Sequence, residues 1–211
     1  MNNTYPYKVK SLPYSMISLE PIIDKATLCI HHDKIYAKYC EKLNLIIKEN
    51  PSIAKYTLEE LIYNPYLLPP TILKQFLYNA GGIYNHELYF DNLSKAFNNK
   101  PKELFLNKVC ATFNTFDNYK EKVLELSLSP VNYHWIITAI DYKGNLKLVG
   151  LKDNDTTIPL NLYPILVIDI AEHAYFIKYH NHKDDYVKSI FNVINYNVVD
   201  DRLIEAMKYV K

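Results

Sequence analysis

Apolar positions recur along the first hundred residues at the spacing of a helix. Ile23, Leu28, Ile30, Ile35, Tyr39, Leu43 and Ile46 mark a helix from near Ile22 to about Lys48. His31, Ile35 and Tyr39 are each four apart and are expected on one face of it. Leu12-Pro13 and Leu19-Glu20-Pro21 keep the preceding chain extended, because proline has no amide proton and biases its predecessor away from helical angles. Asn50-Pro51-Ser52 ends the helix. Thr57-Leu58-Glu59-Glu60 reads as a capping signal for a short helix. After Leu68-Pro69-Pro70, Thr71 is placed to cap a longer one, Ile72 to Leu93, with Phe90 and Leu93 on its apolar face. Gly81-Gly82 lies in its middle at a cost of about 1 kcal/mol per glycine relative to alanine, so something is expected to approach the backbone there. His86 follows one turn later.

The period changes in the second half. Helical patterns over residues 102–109 and 116–128 give way to Trp135–Tyr142, a strand, then a Lys143-Gly144-Asn145 turn and a partner strand, Leu146–Leu151. A third strand, Tyr163–Ile170, follows a loop. Three short helices are expected after it, at Ala174–His180, Asp185–Ile194 and Val199–Val210. The pattern predicts an α+β protein: an N-terminal helical hairpin domain over residues 1–97, then a C-terminal domain over residues 98–211 with a three-stranded antiparallel sheet packed by helices. Asn98-Asn99-Lys100-Pro101 is the expected junction.

Composition narrows the setting. The chain is 49% hydrophobic and 22% charged with a formal charge of +1, which gives no reason to expect nucleic acid or an acidic membrane as partner. The longest apolar run, Tyr163–Ala171, is too short to span a bilayer. Cys29, Cys40 and Cys110 are odd in number and widely spaced, which suits a reducing compartment, and no C-x-x-C offers a thiolate zinc site. Residues 1–10 lack the apolar core of a signal peptide, so a cytoplasmic protein is expected, with association into a larger assembly left open.

Chemistry concentrates at Ile165–Phe176. A run of aliphatic residues ends in Asp169, whose charge is costly in the interior unless compensated, and His173 lies four positions on. A single histidine on an apolar helix face is more often hydrogen-bonded in the core than bound to metal, and His134, His180 and His182 are read that way or as exposed. Asp169 alone could cap the helix after it. Together, however, His31, His86 and His173 each stand beside apolar neighbours, and a carboxylate ends a buried strand. That combination points to a metal site.

The motifs resemble those of the iron/manganese superoxide dismutase family over almost the whole chain. Leu12-Pro13-Tyr14 and Leu19-Glu20-Pro21 are similar to its opening, and Ile30-His31-His32-Asp33-Lys34 to its I-H-H-x-K segment. Residues 79–86, NAGGIYNH, resemble N-A-G-G-x-x-N-H; residues 169–175 resemble D-x-W-E-H-A-Y; Phe191-Asn192-Val193-Ile194-Asn195 resembles W-N-V-I-N. The resemblance implies four protein ligands, His31, His86, Asp169 and His173, to one Mn or Fe ion completed by water. Imidazole and carboxylate suit both metals in both oxidation states. It implies superoxide as substrate, Tyr39 at the substrate entrance, and Glu172 bridging a homodimer by reaching the other subunit's His173. Dimers pairing into tetramers would also be consistent.

Departures from the pattern bear on activity. Ile35 and Phe176 stand where the family usually has a His and a Tyr forming a hydrogen-bonded gateway, and their joint loss avoids stranding a lone buried donor. Ala171, Tyr133 and Phe90 replace three tryptophans, while Trp135 is retained. The glutamine that usually bonds the metal's water is missing: Gly82 occupies its iron-type position, as in manganese-type members, and Asn154 falls at the manganese-type one. Hence manganese is preferred over iron. Two readings follow, an active superoxide dismutase with altered surroundings, or a structural or assembly protein that keeps fold and metal.

Overall fold

The computed structural model describes residues 4–95 and 99–210. The chain opens with α1 (Lys25–Ile30), a π-helical turn over His31–Tyr36, and α2 (Ala37–Glu49), which run on as one rod. Asp24 caps its start by accepting from the Thr27 amide at 2.8 Å. The expected helix is therefore present, but its middle is wound more widely. Across a π turn, residues five apart rather than four come into line. Consequently Tyr36, not Ile35, takes the buried position after His31, and Ile35 is only half-buried. The expectation that Ile35 shares the face of His31 and Tyr39 is corrected accordingly.

Thr57 and Glu60 form the anticipated capping box at the start of α3 (Leu58–Tyr63). Thr71 does not cap the next helix. The Ile72 amide donates to the Pro69 carbonyl, closing a turn that contains Thr71, and α4 (Leu73–Asp91) begins after it. From Asn79 to Phe90 every residue of α4 is buried, because α2 packs on one side and the sheet on another.

α5 (Glu103–Phe113) and α6 (Phe116–Ser127) lead to β1 (Trp135–Ile140), β2 (Leu146–Leu151) and β3 (Tyr163–Asp169), an antiparallel sheet in the order β2-β1-β3. Central β1 is buried throughout. The β1–β2 turn is tied by the Asp141 carboxylate, which accepts from the Lys143 and Asn145 amides, and Gly144 takes the positive φ of 79° that the turn requires. Register pairs Trp135 with both Leu151 and Asp169, so the end of β3 lies beside the start of β1. The chain closes with α7 (Glu172–Tyr179), α8 (Lys183–Ile190) and α9 (Tyr196–Met207), each starting earlier than the sequence suggested. An α+β architecture is thus observed. The boundary expected at 97/98 falls on positions outside the described residues.

Candidate metal centre

Four elements converge. The π turn supplies His31, α4 supplies His86, the end of β3 supplies Asp169, and the first turn of α7 supplies His173. Their ligand atoms all lie within 4.8 Å of one another. The Asp169 Oδ2 atom is the focus: Nε2 of His31 and of His173 stand 3.1 Å from it, and Nε2 of His86 stands 3.8 Å from it. His31, His86 and Asp169 are buried, and His173 is partly open to a cavity. The other carboxylate oxygen, Oδ1, accepts from the Ala171 amide at 2.9 Å. Asp169 does not cap α7 with its side chain; that position belongs to Ala171.

The donor set is that of a cation site. His86 Nδ1 donates to the Gly82 carbonyl at 2.6 Å, so Nε2 carries a bare lone pair in the neutral ring. That lone pair faces a carboxylate oxygen and has no hydrogen-bond partner, as is also true of His31 Nε2, which lies off the line a hydrogen bond needs. Lone pairs aimed at one another in a buried site repel unless a positive ion lies between them. Charge states agree. Burial holds the His31 pKa down, and that of His86 well below the usual value. For Asp169 burial works toward protonation, but the neighbouring His173 and His31 prevail and hold it well below the carboxylate range. For His173 burial is likewise overcome, by Asp169, which raises its pKa. Two imidazoles and the carboxylate are therefore already deprotonated, as metal ligands must be.

Surrounding rings pin the ligands. Trp135 meets His86 edge-on at 4.9 Å and donates its indole N–H to the Asp153 carbonyl at 2.8 Å. Tyr36 stacks on His86 at 6.2 Å, and Phe90 meets His31 at 5.0 Å. Tyr39 stands 5.3 Å from the His86 ring and 5.9 Å from that of Tyr78, beside Asn154 on the cavity wall, and burial holds it firmly protonated. Asn154 is buried and donates to the Tyr78 carbonyl at 3.0 Å. The glycine pair is explained by close approach. A Cβ on Gly81 would fall 1.9 Å from the Asn154 carbonyl oxygen, and one on Gly82 would fall 2.7 Å from the Tyr39 ring.

A cavity of about 540 Å³ opens onto His173, bordered by Tyr39, Asn154, Ala171 and Glu172. Two of its lining residues were not anticipated. His134 stands 3.7 Å from Asp153, and Lys183, whose ammonium pKa burial lowers, faces it from α8. No spacing in the sequence marks either, since both reach the cavity only through folding. Glu172 is exposed, Phe176 is half-exposed on the outer face of α7, and His180 and His182 are exposed. His32 is occupied elsewhere, bonding Asp33 and the Lys10 carbonyl.

Residues 6–94 match the alpha-hairpin domain of the iron/manganese superoxide dismutases, and residues 101–202 match the C-terminal domain of the same family. Superoxide dismutase (Mn) 1 of Leptolyngbya boryana is 30% identical over 205 residues, covering 96% of this chain and 83% of that protein. Superoxide dismutase (Mn) 2 of Bacillus anthracis is 31% identical over 204 residues, covering 96% and 97%, and its counterpart in Bacillus cereus matches to the same extent. With both domains matched and relatives aligned nearly end to end, the chain belongs to the iron/manganese superoxide dismutase family.

Proposed function

We propose that His31, His86, Asp169 and His173 hold the Mn or Fe ion of this superoxide dismutase. The observation that carries the assignment is the convergence of three imidazole Nε2 atoms on one carboxylate oxygen, with His86 already committed to the tautomer that leaves Nε2 bare. When bound, such an ion would supply one-electron redox chemistry, by which two superoxide anions and two protons become O2 and H2O2.

The chain's own residues orient and protect that chemistry. The Gly82 carbonyl fixes the His86 ring, and the Ala171 amide fixes Asp169. Trp135 and Phe90 keep bulk water from the ligands. Tyr39 holds a phenolic proton at its Oη on the cavity wall, where a developing peroxide anion would need one. Asn154, a methylene shorter than glutamine, stands beside Tyr39 on the cavity wall and donates its amide to the Tyr78 carbonyl. Lys183 contributes positive potential facing an anionic substrate. The name of each relative cited specifies Mn, which favours that metal.

Exposed apolar side chains Ile30, Phe176 and Ile177, on helices α1 and α7 that pack together, support a homodimer in which Glu172 reaches the other subunit's His173 and Ile35 and Phe176 meet as an apolar gateway. Two domains, 1–97 and 98–211, each supply two of the four ligands. The three unpaired cysteines fit a reducing, cytoplasmic setting. Among the described residues no helix is long and apolar enough to cross a membrane. A purely structural role is disfavoured, because four intact ligand side chains in a costly buried arrangement serve no packing purpose.

Metal analysis of protein produced with Mn or with Fe, followed by a superoxide-consumption assay, tests the reading. One ion per chain with turnover is expected, and His86→Ala should lose the ion. Stoichiometric metal without turnover would overturn the activity at this site; full metal retention by His86→Ala would overturn the ligand set.

A further inference from the structure

Three tyrosine rings run in contact from the four-residue cluster to the wall of the cavity that reaches His173. Tyr89, buried in α4, stacks on His31 with ring centres 5.3 Å apart and planes 28° apart. Its hydroxyl lies 3.1 Å from that of Tyr186 in α8. Tyr186 spends its one proton on the Asp169 carbonyl at 2.8 Å, so Tyr89 is the donor between them. Tyr186 then stacks on Tyr175 of α7 at 5.6 Å and 22°. Tyr175 lines two surface cavities, one of them the cavity that reaches His173. Phenylalanine at 89 and 186 would fill the same space without burying two phenols, so packing alone does not account for the hydroxyls.

We propose that Tyr89, Tyr186 and Tyr175 form an electron relay that disarms oxidants arising at the metal centre, leaving the oxidising equivalent on Tyr175 instead of on a ligand. The proposal rests on the ligand assignment above. The oxidant class would be supplied by the reaction itself: H2O2, its product, would give HO• and HO⁻ on accepting one electron from a bound divalent ion. One electron then passes from Tyr175 through Tyr186 and Tyr89 to HO•, which takes up a solvent proton and becomes water. The O–H bond of Tyr175 breaks, its proton goes to water in the cavity, and a neutral phenoxyl radical remains. Tyr89 and Tyr186 begin and end as phenols. Net, HO• and one tyrosine give water and one tyrosyl radical, which a soluble one-electron donor such as ascorbate returns to tyrosine together with a proton. The direction follows from burial. Tyr89 and Tyr186 are fully enclosed, whereas Tyr175, though only 6% exposed, lines both cavities, so the radical comes to rest at Tyr175, where cavity water can take its proton.

The test exposes Fe-loaded protein to H2O2, freezes it for electron paramagnetic resonance, and maps oxidised residues by mass spectrometry. Wild type should give a tyrosyl signal with modification at Tyr175. Tyr89→Phe keeps the ring stack and removes only the hydroxyl. It should lose the signal, while oxidation of His31 and Trp135 rises several-fold at equal metal content. Tyr175→Phe should abolish the same signal by removing its resting place. Unchanged signal and unchanged modification of Tyr175 in Tyr89→Phe, or an unchanged signal in Tyr175→Phe, would overturn the relay. His86→Ala serves as the metal-free control: if it binds Fe and gives the wild-type signal, the ligand assignment fails, whereas a metal-loaded wild type with no tyrosyl signal sinks the relay alone.

Discussion

Adjacent glycines in one helix should respond differently to the same substitution, one in stability and the other in turnover. Alanine at either Gly81 or Gly82 gains about 1 kcal/mol of helix propensity. At Gly81 the new Cβ would sit 1.9 Å from the Asn154 carbonyl oxygen and 3.2 Å from Thr156 Cγ2. That carbonyl is main chain, and its loop is tied on three sides: Asn154 to the Tyr78 carbonyl, Asn85 to the Asp155 carbonyl at 2.8 Å, and Trp135 to the Asp153 carbonyl. Moving it strains hydrogen bonds worth about 1 kcal/mol each, on top of an overpacking cost of about 1–3 kcal/mol. Gly81→Ala should therefore lose up to about 3–5 kcal/mol net. At Gly82 the obstacle is the root of the Tyr39 ring, Cγ at 2.7 Å and Cδ1 and Cδ2 at 2.8 Å, so the whole side chain must turn away, toward the open cavity it borders. Gly82→Ala should leave stability within about 1 kcal/mol while turnover falls, because Tyr39 no longer stands over His86. Urea unfolding at unchanged m-value measures the first effect, and superoxide consumption per bound metal the second. A Gly81→Ala protein as stable as its parent, or a Gly82→Ala protein that loses stability but keeps full turnover, would refute the reasoning.

Other consequences are simpler to state. Ile35→His should leave metal content unchanged, since Ile35 is only half-buried and outside the ligand set; metal loss by elemental analysis would contradict its placement. Asp141 is held down to about 2: although desolvation opposes ionisation, hydrogen bonds from Asn145 and Lys143 prevail. A depressed carboxylate lends stability above its unfolded value of about 3.9 and loses it as pH falls through the folded one, so Asp141→Asn should flatten unfolding midpoints between about pH 4 and 2; an unchanged acid profile would count against the turn's role. Glu172→Ala should shift the sizing profile toward monomer at micromolar concentration, and an unaltered dimer would argue against the bridge.

Long-range structure was legible where local chemistry permits only one answer. Thr57 and Glu60 form their box because three-residue spacing puts each side chain on the other's amide. Gly81-Gly82 announced a close approach, though not that one neighbour is a carbonyl and the other a ring. Periodicity misplaced Ile35, since a 3.6-residue repeat was assumed across a segment that winds as a π turn, and no residue type there signals the wider turn. Thr71 had the right chemistry for a cap but follows two prolines, which close a turn over it first. Lys183 and Tyr186, both on α8, and His134, just before β1, meet the centre from distant parts of the chain, so only the assembled fold shows what they face.

The four-residue cluster and its surroundings differ in legibility for a physical reason. A ligand position tolerates one or two residue types, because coordination fixes donor atom, charge and reach together. A neighbouring position must only fill space and satisfy whatever donors remain. Phe90 meets His31 at 5.0 Å where a tryptophan is usual, and Ala171 leaves open volume at the cavity where another would stand, yet the Nε2 atoms still converge on Asp169. Asn154 shows how far this latitude goes. Its amide nitrogen is spent on the Tyr78 carbonyl, which anchors the side chain beside Tyr39 on the cavity wall, where a longer glutamine would reach further toward the metal. Asn154→Gln therefore adds reach at the expense of that anchor. If the anchor matters most, turnover drops with metal content unchanged; if reach matters most, turnover rises. A metal-normalised rate for this one variant decides which property of the position the chain depends on.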